Sequence, residues 1–249
     1  MANIFTSHSG LSHDAKAYVM AGRGVVVDKD GRGDFTSVQA AADFWKARGV
    51  GGRIWVRAGT YNEKVTISTV NTFLEGESWE ALIDGTGRTN ALSVTANYIT
   101  VKNIHFKTPQ GGSDDDAVTI SAAANACTFD TLQVRGSDGH GIATYGGTAL
   151  IHNCYITQCD GNGIYIDGPD NRVNVCNMHG GGTLRGIFVS DKGDNSVITG
   201  NYITGASTTS QFIYVHSDAE NCLIVGNRTN GGNIDDDSGT STVTANEEG

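Results

Sequence analysis

Three acids, a histidine and an arginine are the side chains here whose types and spacing suit chemistry on a polar polymer. Asp138 and Asp160 lie 160−138 = 22 residues apart in like surroundings, Asp138-Gly139-His140-Gly141 and Asp160-Gly161-Asn162-Gly163. Two carboxylates held about 6.5–9.5 Å apart serve inverting glycoside hydrolysis, one as acid and the other as base on water. Asp167, His140 and Arg185 complete the candidate catalytic set. Arg185, near Asp167 and Asp191, is also the one cluster that offers a lyase a cationic base beside neutralising groups. A plainer reading stands against each: acids in Gly-rich turns are usually solvated, and Gly139-His140-Gly141 is one copy of a repeat that elsewhere reads Gly161-Asn162-Gly163.

A second set suits binding. Tyr165, Phe188, Tyr214, Tyr145 and His216, with Arg185 among them, combine rings with polar groups, as carbohydrate sites do when sugar C–H faces stack on aromatics. The same residues equally suit an interface with a sister subunit, because exposed aromatic patches commonly mark protein contacts.

The elements that must position these residues repeat. Ile142, Ile164, Ile187, Ile213 and Ile234 follow one another at 22, 23, 26 and 21 residues, each inside a short run of β-branched or aromatic residues bounded by Gly, Asn or Asp. That is strand grammar at the period of a solenoid coil. Counting backwards adds Val118, Leu92 and Val65, for about eight coils at about 4.8 Å each. If the isoleucines point inward, alternation turns Ala143, Tyr165, Phe188 and Tyr214 outward, followed by Tyr145, Asp167, Ser190 and His216. His140, Asn162, Arg185 and Gln211 form a polar column before them. Asn103, Asn153, Asn177, Asn201 and Asn227, with Asp130 in step, predict a ladder of stacked amides at one turn.

This pattern resembles the right-handed parallel β-helix of the pectate-lyase-like proteins, whose asparagine ladders occupy such a turn. The resemblance runs from about Gly51 onward and implies an all-β, single-stranded solenoid. Ahead of it, Thr36 or Ser37 caps a helix expected over about 37–48, closed by Gly49, with Val38, Ala41, Ala42 and Trp45 on one face. It would cover the open first coil, leaving residues 1–24 as an arm or leader and 25–249 as the β-helix domain. Gly33-Asp34-Phe35-Thr36-Ser37-Val38-Gln39 and Val56-Arg57-Ala58-Gly59-Thr60-Tyr61 are similar to the opening segment of pectin methylesterases. Esterase activity in that family implies Gln-Asp-Thr-Leu, Asp-Phe-Ile-Phe-Gly and Leu-Gly-Arg-Pro-Trp motifs. Asp130-Thr131-Leu132 follows Phe129 instead, Asn162-Gly163-Ile164-Tyr165-Ile166 stands where the second should fall, and the third is missing, so esterase activity is not expected.

Net charge is −10 with no basic cluster, which excludes nucleic acid as an expected partner and repels acidic polysaccharide at long range unless a local basic site overrides it. No apolar run reaches membrane-spanning length, and the N-terminus lacks a signal's charged and apolar regions. Synthesis in the cytoplasm is therefore expected. Five cysteines without metal spacing read as reduced, buried residues. No cofactor or metal is expected; the triplets Asp114–Asp116 and Asp235–Asp237 could bind Ca²⁺, but they lack a recognisable ligand loop and read more simply as turns. The favoured reading is a non-enzymatic virion or surface protein of the phage decoration or spike type. It is expected to be trimeric with other virion proteins as partners, joined through its arm or its last coil, and able to bind glycan on its outer face. The alternative is a polysaccharide-degrading hydrolase or lyase of the tailspike or pectinase kind.

Overall fold

A computed structural model describes residues 24–108, 115–179, 185–205 and 211–248. The arm expected over 1–24 lies outside them apart from Gly24, as does Asp114 of the first acidic triplet. Three parallel sheets wrap one apolar core. Sheet A has ten strands, from Gly24–Val27 to Thr242–Thr244; sheet B has nine, from Gly59–Tyr61 to Glu247–Glu248; sheet C has eight, from Val65–Ile67 to Asn233–Asp236. Each coil visits A, B and C in turn.

In sheet C, Val65, Leu92, Val118, Ile142, Ile164, Ile187, Ile213 and Ile234 share one register, as the repeat predicts. The first seven are buried in the core and Ile234 packs against it. Glycine precedes several of them for a steric reason. A Cβ on Gly163 would lie 2.7 Å from the Gly186 carbonyl oxygen of the next coil, so the turn closes only without a side chain. At Ile213 the glycine is replaced by Phe212, and the register slips between Gln211 and Ile213.

The helix spans Val38–Arg48, capped by the Ser37 side chain and closed by left-handed Gly49, with Val38, Ala41, Ala42 and Trp45 buried. Glu63 adds a partner from the neighbouring coil. Its carboxylate accepts from Val38 N (2.7 Å), Gln39 N (3.1 Å) and Ser37 Oγ (2.6 Å), placing negative charge on the helix N-terminus.

The amide ladder is shorter than expected, and its slot lies one residue away from some of the candidates. Asn201 and Asn227 are buried and linked, Asn227 Oδ1 accepting from Asn201 N at 3.0 Å, and Asn246 extends the ladder by accepting from Asn227 N at 2.9 Å. In earlier coils this slot holds Leu132, Cys154 and Cys176. Asn103 (φ 54°) and Asn153 (φ 53°) occupy the preceding, left-handed position, shared with Gly200 and Gly226, where Asn is tolerated for its backbone. Asn177 is an exposed strand residue, and Asp130 pairs with Lys102. All five cysteines are buried and free.

Sheet B carries a pH-sensitive group on its outer face. Burial, with Arg135 and Lys107 beside it and Asp84 opposing, pushes His105 down from 6.5 to about 4. Between those values the unfolded chain binds the proton more tightly than the folded one does. Stability is therefore full above pH 6.5 and falls as pH drops toward 4. His105→Gln should flatten that part of a Tm-against-pH curve while leaving the neutral plateau in place.

Candidate functional site

The outer face of sheet C gathers most of the candidates. Tyr165, Phe188 and Tyr214 are paired on consecutive strands. Ala143, their outward neighbour, is fully buried. Consecutive coils are only about 4.8 Å apart, so outward rings meet face to face. Tyr165 and Phe188 have centroids 5.4 Å apart, as do Phe188 and Tyr214, and the His140 ring lies over Tyr165 at 4.6 Å and 13°. Tyr145 meets Tyr165 edge-on at 5.9 Å. The rings spend their faces on one another and turn edges and hydroxyls outward.

Arg185 lies against this stack, with Cζ 4.2 Å from the Tyr214 centroid and 5.0 Å from that of Phe188. Its Nε and Nη2 donate to Gln211 Oε1 at 3.0 and 2.8 Å. Gln211 in turn donates to Asp235. Arg185 forms no ion pair among the described residues, so its charge is held in place by a neutral amide and by aromatic faces. Tyr214 donates to Asp237 at 2.8 Å, and that bond, more than burial, raises its phenol above the ordinary value.

Asp167 borders the rings on the other side. Its carboxylate accepts from Ser190 Oγ, from Tyr165 OH at 3.3 Å and from Lys192 Nζ at 3.2 Å. Burial and then Asp167 raise the Tyr165 phenol, so it stays a donor at neutral pH. The Asp167 side chain is 13% exposed and Lys192 66%, which leaves the pair at the boundary between protein and solvent. His216 follows in the same column and lies 3.9 Å from Asp218.

His140 is not free to act as a base through Nδ1. That nitrogen accepts from the backbone N–H of Asn162 at 2.9 Å, which makes Nε2 the protonated nitrogen of the neutral ring. Asn162, where the esterase pattern needs a carboxylate, is buried, and its Oδ1 accepts from Arg185 N at 3.1 Å. Asp138 and Asp160 follow Ser137 and Cys159, the last residues of adjacent strands of sheet B, in the turns that lead to His140 and Asn162. Burial, then Asp160 and Asp116, pushes the Cys159 thiol up to about 12, which leaves it inert as a nucleophile. Among the described residues no cluster of His, Cys, Asp and Glu is placed to hold a metal ion. Ser190, Lys192 and Gln211 were not in the candidate set; their place in the outward columns was the signal for Ser190 and Gln211, whereas Lys192 folds back from a turn.

Comparison with known proteins gives the same architecture. The chain is similar to two proteins of Arabidopsis thaliana. One is the probable pectinesterase/pectinesterase inhibitor 17, 28% identical over 53% of this chain and 31% of that protein. The other is the probable pectinesterase/pectinesterase inhibitor 59, 30% identical over 59% of this chain and 30% of that one. The matched stretch thus spans about a third of each curated relative. The pectin methylesterase from Aspergillus niger superposes with TM-score 0.65 at 17% identity, covering 99% of this chain and 88% of that one, a likeness of fold. Residues 88–247 match the model of the right handed beta helix region, so the chain belongs to the right-handed β-helix family.

Proposed function

We propose that the chain is a polysaccharide-acting enzyme whose substrate crosses the outer face of sheet C. Arg185 carries the reading: it is a cation fixed by two rings and an amide, with no carboxylate paired to it among the described residues. Such a group binds the carboxylates or polarised oxygens of a glycan without first giving up an ion pair. Asp167, across the ring stack from it, is the proton-transfer group, oriented by Ser190, Tyr165 and Lys192.

Chain cleavage, by hydrolysis or elimination, fits these groups better than ester hydrolysis, because the Asn162 amide lacks the carboxylate an esterase needs at that place. The relatives' names support a polysaccharide as substrate class. A non-enzymatic virion role has no support from the relatives described above.

Incubation with polygalacturonate, followed by reducing-end release and by the absorbance of unsaturated products, tests the reading. Arg185→Ala should raise KM about tenfold, the effect of losing one well-placed charge–oxygen contact. An unchanged KM would remove Arg185 from the site.

A further inference from the structure

The middle of the outer face of sheet B differs in charge from its two ends, which carry Asp84, Glu247 and Glu248. The six strands from His105–Lys107 to Arg228–Asn230 contain no Asp or Glu in a chain of net charge −10. Lys107, Arg135 and Arg228 point outward from them. Lys107 reaches back to Asp84, and Arg135 donates to the neutral Gln158 at 2.9 Å. Arg228 lies 3.7 Å from Glu247 with both side chains largely exposed, a pairing that holds little energy in water. Burial keeps His105 neutral, so the positive charge here comes from the lysine and the arginines.

Aromatic rings share this face, and their spacing differs from that on sheet C. Tyr155 pairs with Asn177, and Asn177 with Tyr202, so the two tyrosines stand two coils, or about 9.6 Å, apart. That is close to the length of a disaccharide in an extended pyranose chain. Tyr155 and Tyr202 make no ring contact with each other, and the exposed Asn177 lies between them. Trp79, 40% exposed, lengthens the strip: its Nε1 donates to Thr131 O at 2.8 Å, and its ring lies 25° from parallel to Tyr155. Arg228 closes the far end over the Tyr202 ring at 5.6 Å.

We propose that this face is a second glycan-binding track, which holds an anionic polysaccharide along the coil axis with its sugar rings on Tyr155 and Tyr202 and its carboxylates on Arg135 and Arg228. Charge complementarity selects the anionic polymer. The two-coil ring spacing selects an extended sugar chain over an unstructured polyanion. The proposed function supplies the polymer class; the site is separate from sheet C.

Calorimetric titration with oligogalacturonate, and with the same oligomer fully methyl-esterified, tests it. The wild type should bind the charged oligomer more tightly than the ester, with affinity falling as salt rises. Tyr155→Ala combined with Tyr202→Ala should weaken binding about tenfold. Asn177→Asp, which adds a carboxylate to the strip at an exposed position, should weaken it as well. Arg185→Ala should remove only the sheet C share of the binding and leave the share that depends on Tyr155 and Tyr202 in place, which separates failure here from failure of the catalytic reading. Three results would overturn the proposal: no binding by the wild type, equal affinity for the ester, or binding that survives loss of both tyrosines and depends on the arginines alone.

Discussion

Asp167→Asn should lower polysaccharide turnover by about a hundredfold or more, the usual cost of removing a general acid or base. The substitution keeps the shape and retains an acceptor for Ser190 Oγ and Tyr165 OH, so the strand and ring stack should stand. It also removes the partner charge of Lys192. Because that lysine is largely exposed, the pairing contributes little to stability, and Tm should hardly move. The kinetic signature separates roles: loss confined to kcat marks proton transfer, whereas the loss predicted for Arg185→Ala falls on KM. An Asp167→Asn protein that turns over polymer at the wild-type rate would take Asp167 out of the mechanism.

The second large effect is on the fold. Asn227→Ala should destabilise the protein by about 3–5 kcal/mol, because it strands several buried groups at once. Asn227 Nδ2 donates to Ile198 O at 2.9 Å, and Oδ1 accepts from Asn201 N and Asn201 Nδ2 at 3.0 and 2.9 Å. No water reaches those groups to replace the lost bonds. Asn227→Asp should cost less in acceptance but still lose the donor to Ile198 O, so its urea midpoint should fall between wild type and alanine. If Asn227→Ala unfolds with the wild-type midpoint, the ladder is not a source of stability.

These two residues mark what could and could not be read in advance. The inward column from Val65 to Ile234 was legible residue by residue, because strand alternation and coil period leave a single register that buries its first seven members and packs Ile234 against them. The ladder was legible as a feature but not in position. Two adjacent turn slots both favour Asn, one for its tolerance of positive φ and one for its amide, and Asn153 and Asn201 fill different ones. Aligning Gly200 and Gly226 with Asn103 and Asn153 would have separated them, since glycine marks the left-handed slot.

The outer face of sheet C was legible as a surface, because Tyr165, Phe188 and Tyr214 must share it once Ile164 points inward. What those rings do there depends on contacts that no single coil encodes. The stack consumes the ring faces, Arg185 turns back over Phe188 and Tyr214, and Lys192 reaches Asp167 from a turn in the following coil. The cap that Glu63 places on the helix is of the same kind, a contact between residues in separate coils. The rings on sheet B leave no local pattern in the sequence, because they lie two coils apart and the indole comes from a loop elsewhere.

The most direct test of where substrate lies is a crystal of the Asp167→Asn protein soaked with an oligogalacturonate. Sugar density is expected across sheet C, with an anionic or hydroxyl oxygen within hydrogen-bond distance of the Arg185 guanidinium and a glycosidic oxygen facing residue 167. Density confined to sheet B, or none over Arg185 at concentrations that support turnover by the wild type, would contradict it.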